Sequence, residues 1–185
     1  MNIDQADEGP DPDDEQPSLM ATDEELDDDE GRPSRMIVVD EEPEPTGGRP
    51  PRMMVVDDDD QFRQMLREWL QDEGIQEVFE APDGTEAVEL AMSQLLDVIL
   101  MDLRMPKMDG IEAASQIKAL SPNVQVIMVS AYGDAALRQA AEKAGVYSYV
   151  VKGGPPNVLW HTIRFAWTYK ARLDEEKPVD PENAA

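Results

Sequence analysis

Four acidic residues in a row, Asp57-Asp58-Asp59-Asp60, follow the apolar run Met53 to Val56, and Asp102 follows the run Val98 to Met101. Ser130 and Lys152 hold the equivalent place after two later runs, Val124 to Val129 and Val146 to Val151. Carboxylates gathered at one rim raise each other's pKa unless a cation joins them, and an all-oxygen set suits a hard divalent ion such as Mg2+. A carboxylate flanked by such an ion and an ammonium can attack a phosphoryl group and form an acyl phosphate, because the added negative charge is offset from both sides. Asp102 with Lys152 meets that requirement. A plainer reading, a solvated turn and helix cap, fits Asp59 and Asp60, one of which would cap a helix beginning near Gln61. It fits Asp57, Asp58 and Asp102 poorly, since partly buried acids at strand ends have no structural reason to be there without a cation.

These residues share a rim only if the apolar runs are parallel strands. From Met53 onward short apolar runs alternate with helical periods, as a parallel sheet with crossover helices requires. Phe62, Met65, Leu66, Trp69 and Leu70 share one helical face with Gly74 as the stop. Val78-Phe79 precedes a helix through Val88, Ala91, Met92 and Leu95, and Val98 to Met101 precedes one through Ile111, Ala114 and Ile117. The run from Val124 leads to Leu137, Ala140, Ala141 and Ala144, and the run from Val146 to a long helix from about Pro156 to Arg172. The third and fourth runs are apolar nearly throughout, which predicts strands covered by helices on both faces. Ligands of such sheets bind beyond the carboxyl ends of the strands, where the strand order reverses. The acidic and basic residues named above lie at those ends.

Charge sets the domain limits. The chain of 185 residues has 16 Lys+Arg against 41 Asp+Glu, a formal net charge of −25. That balance gives phosphate-neutralising DNA binding no electrostatic basis, so no direct contact with DNA is expected. Residues 1–30 contain fourteen acids and no Lys or Arg, too polar to offset chain entropy. The expected organisation is an acidic extension and Arg/Pro linker over 1–52, one folded domain over 53–173, and an acidic tail over 174–185, both end segments disordered. Residues 31–40, GRPSRMIVVD, are nearly repeated at 48–57, GRPPRMMVVD. Two copies do not make a repeat fold, and a local duplication inside the linker is the simpler account. There is no cysteine, so thiolate chemistry is excluded, and no apolar run reaches membrane-spanning length. A cytoplasmic location without membrane insertion is expected.

Val55-Val56-Asp57-Asp58, Met101 to Gly110 (MDLRMPKMDG), Ser130-Ala131 and Tyr149-Val150-Val151-Lys152, in that order, resemble the receiver domain of two-component response regulators. The resemblance covers about residues 52–172. It implies a flavodoxin-like α/β sandwich of five parallel strands in the order 2-1-3-4-5, and a phosphoryl group taken from a histidine kinase or phosphotransfer protein onto Asp102. It further implies Mg2+ held by Asp57, Asp58, Asp102 and the Arg104 backbone carbonyl, with Lys152 and Ser130 on the phosphoryl oxygens. Ser130 and Tyr149 would act as the switch, and Asp109 would cap the next helix. The family usually follows its lysine with a proline, often in a cis bond. Gly153 stands here instead, so a trans bond and an altered loop are expected.

The resulting expectation is a stand-alone regulator that promotes only its own phosphorylation and dephosphorylation, turning over no external substrate. Its output would be contact with a downstream protein target, or a homodimer, through the face of the fourth helix, fifth strand and fifth helix, with Trp160 and Trp167 as interface candidates. His161, the single histidine, is a helix residue without partner ligands and is given no role. Two competing readings are weighed. One is a scaffold domain that uses the same fold without phosphorylation, against which the full set of acids and lysine argues. The other is a magnesium-dependent phosphohydrolase, which would need a second aspartate where Arg104 stands.

Overall fold

Strand residues that alternate between two apolar faces need a helix layer on each side, and the chain supplies both. The computed structural model describes residues 49–131 and 133–176. The acidic extension, the 31–40 copy of the repeat and the end from residue 177 lie outside the described residues. The elements are β1 (Met53–Val56), α1 (Asp60–Asp72), β2 (Val78–Ala81), α2 (Gly84–Ser93), β3 (Val98–Met101), α3 (Gly110–Leu120), β4 (Gln125–Ser130), α4 (Ala135–Lys143), β5 (Ser148–Val151) and α5 (Pro156–Glu175). All strand pairs are parallel, in the order β2-β1-β3-β4-β5, as the resemblance implied.

The period of two along each strand sorts the core. Met54, Val56, Ile99, Met101, Val126 and Met128 pack with Ala87 and Ala91 of α2, Ala113, Ala114 and Ile117 of α3 and Ala141 of α4. Met53, Val55, Val98, Leu100, Ile127 and Val129 pack instead with Leu66 and Leu70 of α1 and Leu159, Ile163 and Ala166 of α5. Helix starts are set by aspartates. Asp59 Oδ1 accepts from the backbone N–H of Gln61 and Phe62, and Asp109 Oδ1 from Ile111 and Glu112, so each caps the helix assigned to it from sequence. Gly74 and Gly145, with φ of +92° and +81°, end α1 and α4 as left-handed residues.

Two boundaries differ from the sequence reading. Residues 49–52 belong to the fold, not to the linker. Asp97, buried at the amino end of β3, takes the Arg49 guanidinium at 2.7 and 3.1 Å and the Arg52 backbone N–H at 2.8 Å. A buried carboxylate needs such partners, so the segment before β1 is held in place. At the other end α5 continues past Arg172 to Glu175, where Asp174 accepts from the Asn123 amide at 2.8 Å and pairs with Lys170.

The loop from β3 to α3 turns back closely on Asp102. A Cβ added to Gly110 would lie 2.0 Å from the Asp102 carbonyl oxygen, while the Gly110 N–H donates to the Leu103 carbonyl at 2.9 Å. Gly110→Ala is therefore expected to lower unfolding free energy by roughly 3 kcal/mol or more in denaturant titration. Gly133→Ala, whose Cβ would meet nothing nearer than 3.5 Å, should change it by about 0.5 kcal/mol or less.

Candidate functional site

The sheet extends its hydrogen bonding one residue beyond the strands, and this places the site. The Asp57 N–H donates to the Ala81 carbonyl, the Asp102 N–H to Val56, and the Lys152 N–H to Ser130. Their side chains thus leave the carboxyl rim from fixed backbone on either side of the β1/β3 switch point. Asp57 and Asp102 are only 2% and 7% exposed, whereas Asp58 faces solvent. Carboxylate oxygens of all three lie within 4.8 Å of one another.

Lys152 holds the two buried acids together. Its Nζ is 2.5 Å from Asp57 Oδ2 and 3.2 Å from Asp102 Oδ1, and 4.4 Å from the centre of the Phe62 ring. The remaining oxygens take backbone donors: Asp59 N–H reaches Asp57 Oδ1 and Arg104 N–H reaches Asp102 Oδ2, each at 3.1 Å. Arg63 Nη1 donates to the Asp57 carbonyl at 2.5 Å. Burial pushes the Asp57 carboxyl above its ordinary range, although the Lys152 hydrogen bond opposes this. Burial also disfavours the Lys152 ammonium, but the hydrogen bonds and charges of Asp57 and Asp102 together outweigh it and the lysine is raised. A carboxylate held above its ordinary pKa even with an ammonium at 2.5 Å is short of positive charge. Three carboxylates this close form a hard-oxygen donor set that fits Mg2+.

The structure thus brings Asp57, Asp58, Asp102 and Lys152 together. Arg104 sits two residues past Asp102 and closes a turn on it. Ser130 is fully buried at the end of β4 and paired with Val151 in the sheet. Tyr149 lies lower on β5, opposite Met128, with its ring against the core and the Arg138 guanidinium 5.2 Å away. No cis peptide occurs among the described residues, and Gly153 takes φ +81°, so the loop after Lys152 departs from the proline pattern as expected.

Trp160 and Trp167 do not lie on the face suggested for them. Both are half-buried and pack with the α1 side of the core, where Trp160 meets Trp69 edge to face at 6.0 Å. The apolar face of α1 draws them there, because Leu66, Leu70 and Ile75 leave a surface that a helix must cover. The β5–α5 edge instead exposes Tyr147 and Tyr169, whose rings meet at a tilt of 33° with their centres 5.7 Å apart, together with Val151. Phe62 was not singled out from sequence as a site residue. Its one signal is an aromatic on the first turn of the helix that follows the acidic run.

Fold and rim define an α/β module with a metal-competent carboxylate cluster and a lysine at its switch point. A family model described as the response regulator receiver domain matches residues 53–164. The transcriptional regulatory protein PdtaR of Mycobacterium tuberculosis is 42% identical over 92 residues, covering 49% of this chain and 43% of that protein. The chemotaxis protein CheY of Thermotoga maritima is 37% identical over 95 residues, covering 51% of this chain and 79% of that one. A crystal structure of a CheX–CheY complex with BeF3 and Mg2+ from Borrelia burgdorferi is 29% identical with a TM-score of 0.59, covering 62% of this chain and 87% of that one. The chain belongs to the receiver-domain family of two-component response regulators. It spans less than half the length of PdtaR. No helix among the described residues is long and apolar enough to cross a membrane.

A group whose folded pKa is raised contributes stability below its unfolded pKa and loses it as pH rises through the folded value. Asp57, raised from an ordinary 3.8, is such a group. With chelator present at pH 7, Asp57→Asn is expected to unfold at higher denaturant than wild type, the difference closing as pH falls toward 3.8. The same variant should lose any stabilisation by added Mg2+. Lower stability of the variant at pH 7 would contradict this account of the site.

Proposed function

We propose that Asp102 is the phosphoacceptor, served by Mg2+ and by a histidine kinase or phosphotransfer protein as donor. The observation that carries this is the Lys152 ammonium between Asp57 and Asp102, 2.5 and 3.2 Å away, beside the three-carboxylate cluster. Asp57, Asp58, Asp102 and the Arg104 backbone carbonyl would hold the cation. When bound, Mg2+ would neutralise the phosphoryl oxygens and the acids around them.

The steps that follow belong to the chain's own residues. An Asp102 carboxylate oxygen attacks phosphorus, a P–O bond forms, and the P–N bond of a phosphohistidine donor breaks with its electron pair returning to the imidazole. Lys152 turns from the carboxylates to a phosphoryl oxygen, and the Ser130 hydroxyl donates to another. Tyr149 moves with Ser130, so that the edge exposing Tyr147, Val151 and Tyr169 changes its affinity for a downstream protein or a second copy of the chain. Hydrolysis of the acyl phosphate restores Asp102 and releases phosphate. The domain so acts on itself and turns over no external substrate. A cytoplasmic location is part of the same reading. Support comes from family membership and from the CheY relative that carries BeF3 and Mg2+.

Intact mass after incubation with acetyl phosphate tests this reading. Wild type with Mg2+ should gain one phosphoryl group, and chelator or Asp102→Ala should abolish the gain. Lys152→Ala should slow it by about 100-fold. An adduct that survives Asp102→Ala would move the acceptor elsewhere. No adduct from acetyl phosphate or from kinases would favour a scaffold role without phosphorylation.

A further inference from the structure

The loop from β3 to α3, residues 102–109, must hold both Asp102 and Arg104; Leu103 is buried in it and Met105 and Met108 pack against the core. Its internal ties include the Arg104 turn on Asp102 and hydrogen bonds from Met108 N–H to the Pro106 carbonyl and from Gly110 N–H to the Leu103 carbonyl. Lys107 reaches out of the loop, its Nζ 2.5 Å from Oδ2 of Asp83. Asp83 is buried, and its other oxygen caps α2 by accepting from the N–H of Thr85 and Glu86. Lys107 is also the one non-glycine among the described residues with a positive φ, +66°. A lysine gains nothing from that left-handed backbone, where Gly or Asn is the easier choice, so its side chain must supply the reason. The two loops are in close contact as well, since a Cβ on Gly84 would lie 2.7 Å from the Met108 carbonyl oxygen. The Lys107 side chain stays 69% exposed against 4% for Asp83. The ammonium therefore keeps much of its hydration while satisfying a buried acid. Lys107 in turn holds the Asp83 carboxyl below its ordinary range.

We propose that Lys107 and Asp83 are positioning residues, an ion-pair latch that ties the β3–α3 loop to the start of α2 and so holds Asp102 and the Arg104 carbonyl in place for the cation. This inference rests on the metal-assisted acceptor reading. Neither residue touches the reacting atoms. Both act through the loop that does.

The test compares the full chain with Lys107→Gly, Lys107→Ala and Lys107→Arg. Lys107→Gly suits the left-handed backbone but removes the whole side chain and adds backbone freedom, Lys107→Ala removes the ammonium without that freedom, and substituting Asp83 would also uncap α2. Mg2+ titration followed by the amide NMR shifts of Asp57, Asp102 and Arg104 should show affinity about tenfold weaker in Lys107→Gly and Lys107→Ala, restored in Lys107→Arg. In metal-free protein, hydrogen exchange at Leu103, Arg104 and Met108 should quicken in the same two variants while core amides in β1 and β3 keep their protection. Lys107→Gly with wild-type Mg2+ affinity or wild-type loop exchange would overturn the latch and leave the acceptor reading intact. A wild-type chain that takes up no Mg2+ would overturn both.

Discussion

Asp57 and Asp102 are two buried carboxylates that share one ammonium, and most of the architecture follows from keeping them there. A single Lys152 charge neutralises at most one of them. Loss of hydration on burial lifts Asp57 above its ordinary range even with Lys152 at 2.5 Å, and the neighbouring Asp102 charge adds a smaller push in the same direction. The sheet tolerates the arrangement because the acids do not have to find each other. Each is one residue beyond a strand, on backbone already fixed by hydrogen bonds to the neighbouring strand. The repulsion is met by the whole sandwich, not by a flexible loop.

Much of this was legible in the sequence for a physical reason. Strands buried on both faces leave continuous apolar runs, so the positions of β1, β3 and β4 follow from Met53 to Val56, Val98 to Met101 and the run ending at Val129. Charged residues directly after such runs then fall on one rim by topology alone. An acidic pair before a helical period pointed to a cap at Asp59 or Asp60, and Asp59 proves to be it, while the Asp109 cap came with the family resemblance. What stayed hidden depends on contacts between distant segments. Arg49 and Arg52 looked like linker because nothing near them in sequence shows that Asp97 is buried and in need of cations. The tryptophans of α5 looked like an interface because a helical period gives a face but not the identity of the neighbour, here Trp69 and the α1 side. Lys107 read as one residue of a motif, and its partner Asp83 lies 24 positions earlier.

The ends of the sheet give a contrast that separates structural acids from chemical ones. At the amino end Asp97 is also a buried carboxylate, but it takes a two-point Arg49 contact, the Arg52 N–H and Lys170 at 3.7 Å. Arg49 alone balances this carboxylate, with Lys170 shared between it and Asp174, and the result is a tie that fixes the entry to β1 and the end of α5. At the carboxyl end that balance is missing, with Asp57 and Asp102 on one lysine and Asp58 beside them. A buried acid whose charge is balanced closes a structure. Buried acids with too few cations leave a site where a divalent cation, or a phosphoryl group brought with one, completes the balance. On this argument the chemistry of the domain resides in its uncompensated charge, and the fold serves to prevent that charge from relaxing away.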